Sequence, residues 1–135
     1  MKAALIGLLT LFGFVLIANP LLAHHGSAGY EMDKMTIRKA TVTGFEWTNP
    51  HSAIFFDITN DKGVVEHWTI EAPPPTILVD RGWTRKSLKA GDEVTAYFHA
   101  SKNGATVGIL QKVYFADGKG LWAYNDPQPA PAEPK

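Results

Sequence analysis

Five short runs in which apolar and polar residues alternate, parted by tight-turn signals, constrain this chain more than any other feature. Period-two alternation sends successive side chains to opposite faces of an extended strand, so each run can cover a core and still meet water. The first run is Ile37 to Trp47, with Thr41, Thr43, Phe45 and Trp47 on one face and Val42, Gly44 and Glu46 on the other. Thr48-Asn49-Pro50-His51 turns the chain, because proline fixes φ and asparagine bonds back to local backbone. Ala53 to Thr59 is the second strand, with Ile54, Phe56 and Ile58 together. Asn60-Asp61-Lys62-Gly63 then reads as a hairpin turn. Val64 to Glu71 is the third strand, setting Glu66, Trp68 and Ile70 against Val65, His67, Thr69 and Glu71.

The alternation breaks at Pro73-Pro74-Pro75, which cannot continue a sheet ladder. Pro75 can open a helix, where a missing amide costs nothing, so Thr76 to Arg81 predicts one or two helical turns stopped by Gly82. Glu93 to His99 and Val107 to Phe115 supply the last two strands. Three strands, a short helix and two strands is the order of a small five-stranded antiparallel OB-like barrel, an all-β Greek key that removes most open edges. An open antiparallel sandwich is the alternative. The expected domain runs from 37 to 125, with a core drawn from Trp47, Ile54, Phe56, Ile58, Trp68, Ile70, Val94, Ala96, Phe98, Val107, Ile109 and Val113.

The ends read differently. Met1-Lys2 is followed by an uncharged apolar run to Ala18, then Asn19-Pro20 and the small residue Ala23. That is a signal-peptide pattern over 1–23, and its apolar run is shorter than the roughly 20 residues a membrane span needs. Cleavage gives an exported protein, periplasmic or secreted, without a stable membrane span. It would begin at His24-His25, with a leader over 24–36. From Asp126 the chain is proline-rich with small or charged neighbours, and such a tail (126–135) is expected to be disordered.

Composition removes whole classes of function. The chain has no cysteine, so disulfides, iron–sulfur clusters, thiolate zinc sites and cysteine nucleophiles are excluded. With 13 basic and 13 acidic residues, it lacks the positive excess of a nucleic-acid binder. Gly118-Lys119-Gly120 lacks the spacing of a phosphate loop, and neither a nucleophile elbow nor a His-Glu-x-x-His helix occurs. No acid–base pair is legible, so no catalytic residue is assigned and the chain reads as a binding module with an unknown ligand or protein partner.

Histidine carries the remaining chemistry. After a cut before His24, its α-amine and ring can chelate a metal together, and His25 and His51 add imidazoles. Such nitrogen donors suit copper(II), making His24, His25 and His51 the candidate metal ligands. Glu46, Trp47, Asn49 and Pro50 form a candidate recognition loop at the mouth of the barrel; alternatively Trp47 caps the core and Asn49-Pro50 only shapes the turn. Glu71 fits either an imidazole-orienting carboxylate or, more ordinarily, a residue capping the next helix or facing water. His67 and His99 are expected on strand surfaces, and Trp68, Trp83, Trp122, Phe55 and Tyr97 in the core rather than on a stacking platform. Two rivals stay open: a metal-free interaction barrel, and a histidine-brace copper oxidase at His24.

His24-His25-Gly26-Ser27, Glu46-Trp47-Thr48-Asn49-Pro50-His51 and the stretch from Arg81-Gly82-Trp83-Thr84-Arg85 to Gly91-Asp92-Glu93-Val94 together resemble a family of small exported proteins of Gram-negative bacteria, catalogued as a domain of unknown function. The resemblance spans roughly His24 to Leu121. It implies an exported, barrel-like protein and brings no established activity.

Overall fold

Strand pairing in the computed structural model, which describes residues 26–125, closes a barrel in the order β1-β2-β3-β5-β4-β1. The strands are β1 (Thr36–Glu46), β2 (Ser52–Thr59), β3 (Val65–Ala72), β4 (Glu93–Ala100) and β5 (Val107–Phe115). One short helix, α1 (Pro75–Asp80), joins β3 to β4 and starts with proline as the sequence predicts. Neighbours run antiparallel, with Phe45 opposite Ile54, Ile54 opposite Ile70, Ala40 opposite Val94 and Ala96 opposite Val113. The closing seam is the parallel pair β3–β5, where Ile70 lies opposite Gly108. The expected OB-like barrel is therefore the fold. The expected signal peptide, His24, His25 and the expected tail over 126–135 lie outside the described residues.

The seam explains why glycine stands at 108. A Cβ there would sit 2.8 Å from the Phe98 ring, 2.9 Å from the His99 carbonyl and 3.0 Å from Ile70. Only a residue without a side chain lets β5 come this close to β3 and β4.

Two irregularities correct the expected faces. In β1, Val42 pairs with Phe56 but Gly44 pairs with Phe55, leaving Thr43 as an extra residue. This bulge reverses the strand's parity. Val42 is fully buried ahead of it, while Phe45 and Trp47 pack against the core beyond it. A second shift lies between Tyr97 and Phe98, opposite Lys112 and Leu110 respectively, so Gln111 is the extra residue of β5. Gly108, Leu110 and Val113 consequently face inward, whereas Val107 and Ile109, expected in the core, are only partly covered. Trp47 and Trp68 are half-buried at its edge. The other eight expected core residues are buried, and Leu78, Trp83, Leu88, Leu121 and Ala123 join them.

A sixth strand not expected from the sequence, β6 (Gly120–Trp122), pairs antiparallel with β5 outside the barrel. It matters for Trp83, which is 1% exposed and donates its indole N–H to the Trp122 carbonyl at 2.7 Å. The leader also lies against the barrel. Tyr30 bridges to Ser101, the Glu31 amide donates to the Ala100 carbonyl at 2.9 Å, and the Lys102 amide donates to the Gly29 carbonyl at 2.9 Å.

Candidate functional site

The β1–β2 turn, with a cis Asn49–Pro50 bond, delivers His51 to the start of β2. Across the β2–β3 ladder, Ala53 pairs with Glu71, and this register brings the Glu71 carboxylate to 2.5 Å from His51 Nδ1. Both side chains stay accessible, at 37% and 39%. Glu71 therefore does not cap α1, whose first turn has no side-chain cap. It pairs with the His51 imidazole while still facing water.

His51 and Glu71 border a cavity of about 290 Å³ with Gly26, Ser27, Tyr30, Ile109 and Tyr124. The described chain thus begins beside this pair. Burial first, and the Glu71 charge second, push the Tyr30 hydroxyl above its usual range. The same two causes raise Tyr124, with Arg81 pulling the other way. The cavity accordingly combines one carboxylate, one imidazole and two phenols held neutral.

A larger groove of about 630 Å³ adjoins it and shares Ser27, Ile109 and Tyr124 as walls. It runs over the outer side of β1, β4 and β5 between the leader and β6, past Ile37, Tyr97 and Trp122. Tyr97 and Trp122, expected in the core, are groove walls instead: Tyr97 alternates with the buried Ala96 and Phe98, and Trp122 with the buried Leu121 and Ala123. Lys112 Nζ lies 3.9 Å from the Trp122 ring centroid, 4.8 Å from Tyr97 and 5.3 Å from Tyr114. Trp68 packs on Phe98 with centroids 5.1 Å apart, Phe55 is partly covered, and Trp83 alone of that aromatic group is fully enclosed.

The other candidates separate. Glu46, Thr48, Asn49 and Pro50 are exposed, and Trp47 sets its ring edge-on to Phe45 at 5.6 Å. Glu46, Trp47, Asn49 and Pro50 border neither cavity. His67 is a surface residue as expected, paired through Nδ1 with Asp57 at 2.6 Å. His99 is not: it is buried, and its Nδ1 lies 3.1 Å from the Glu31 carbonyl and 2.9 Å from that of Lys34. The leader covers it, which strand periodicity alone does not reveal. Among the described residues no three His, Asp or Glu side chains form a metal-holding group, and His24 and His25 lie outside them.

No curated protein and no solved structure matches the chain. The sequence model of a family of unknown function, DUF6152, matches residues 13–111. That stretch carries the barrel through most of β5 together with His51, Glu71 and His99, and the chain belongs to this family.

Proposed function

We propose that the protein is an exported, periplasmic binding module that takes copper(II) through His24, His25 and His51, with Glu71 orienting the His51 ring. One observation carries this reading: Gly26, the first described residue, borders the cavity that holds His51 and Glu71. His24 and His25 directly precede Gly26 in the sequence. A cut before His24 adds an α-amine to the three imidazoles. Nitrogen donors of this kind favour copper(II) over nickel and zinc. A carboxylate on the far nitrogen fixes ring orientation and raises ligand basicity, as in other histidine metal sites.

Calorimetric titration of the mature protein with copper(II) tests the reading against His24→Ala, His51→Ala and a form with one extra residue before His24. Each change is expected to weaken binding, the extended form by removing the α-amine from chelation. Equal binding by all four, or none tighter than millimolar, would overturn it and leave a metal-free interaction barrel.

A further inference from the structure

We infer that the larger groove is a site for a soft monovalent cation of the copper(I) class, held by the thioethers of Met32 and Met35 and the imidazole of His99. The chain has three methionines, and both that lie beyond the apolar amino-terminal run border this groove with His99. They are not core fillers, since Met32 is 44% exposed and Met35 37%. Methionine side chains left in water beside an open groove are available as donors.

The leader ties the three together. His99 Nδ1 faces the carbonyls of Glu31 and Lys34, the residues next to Met32 and Met35. Two carbonyl acceptors require that Nδ1 carry the proton, so the neutral ring's lone pair is on Nε2. Backbone held this way sets the ring orientation and anchors both methionines on the same short segment, as outer partners do at metal sites.

The rest of the lining selects the ion. Among the described residues no Asp or Glu borders the groove, so a hard divalent ion finds there none of the carboxylates it prefers, whereas thioethers and imidazole suit copper(I). Lys112 also borders it, and its repulsion of a divalent ion is twice that of a monovalent one at the same distance. This site uses none of the donors proposed for copper(II), so either can fail without the other.

Silver(I), which shares copper(I)'s ligand preferences without its redox chemistry, is the probe. The protein is titrated in chloride-free buffer while the methionine ε-methyl signals are followed by NMR, beside Met32→Leu and Met35→Leu. Leucine keeps the apolar volume, and thermal melts check that both variants fold. The methyl signals of Met32 and Met35 are expected to shift together by one equivalent of silver. In each variant the remaining methyl should titrate with an affinity lower by roughly 10–100-fold, the scale of losses already seen for outer-shell partners. Zinc should move neither signal. Methyl signals unmoved at one equivalent, or an unchanged titration midpoint in the single variants, would overturn the assignment.

Discussion

His51 is a residue whose local sequence explains its neighbours but not itself. Turn chemistry accounts for Asn49 and Pro50, yet a histidine next to them has no local task. Its partner Glu71 is twenty positions away and becomes visible only when the β2–β3 register sets the two strands side by side. A single sequence shows strands more readily than registers, so Glu71 reads more ordinarily as a cap or a water-facing residue. The same carboxylate leads to a prediction for the metal-free protein. Tyr30 and Tyr124 are held above the ordinary tyrosine value by burial and then by Glu71. A group whose value is raised by folding contributes stability that is fully present below its unfolded value and lost as pH rises through the folded one. Stability should therefore fall as pH climbs past about 10, the reference tyrosine value. Tyr30→Phe and Tyr124→Phe should each flatten that fall, read from urea midpoints across the alkaline range. Glu71→Gln should bring both phenol titrations down, read from tyrosinate absorbance.

At the level of elements, all five barrel strands and the helix were legible from alternation and turn residues, with ends within a residue or two. The faces were less legible, and for one physical reason: a bulge inserts a residue without changing composition. Thr43 and Gln111 each reverse a strand's parity, which moves Val42 inward and keeps Ile109 outside on the groove. β6 escaped because three residues are too few to show a period, although Leu121 and Ala123 are both buried. Gly108 is the position where an element meets the whole barrel. Gly108→Ala should destabilise the fold by about 1–3 kcal/mol, the usual cost of overpacking. Gly29→Ala is its control, since a Cβ there meets nothing within 4 Å. Equal denaturation midpoints for the two variants would contradict the close approach at the seam.

The whole molecule is a cysteine-free barrel, so its stability rests on packing and hydrogen bonding with no cross-link beneath them. Trp83 shows how far that goes. Lying between α1 and β4, it fills the core against Phe45, with ring centroids 6.0 Å apart, and reaches the carbonyl of Trp122 on the groove side. Trp83→Ala should cost about 3–5 kcal/mol, a large share of the roughly 5–15 kcal/mol that holds a domain of this size. It should also loosen the Trp122 wall of the groove, seen as a shift or broadening of the Trp122 indole N–H signal in NMR spectra of the variant. The leader and β6 both border that groove, and the His51–Glu71 cavity adjoins it. The barrel thus gathers the chain's remaining chemistry onto one side. Copper(II) coordination by His51 is read from electron paramagnetic resonance of the protein beginning at His24 with one equivalent of copper(II). Wild type should give a nitrogen-rich spectrum, and His51→Ala should lose one nitrogen coupling. An identical spectrum in the two proteins would contradict it.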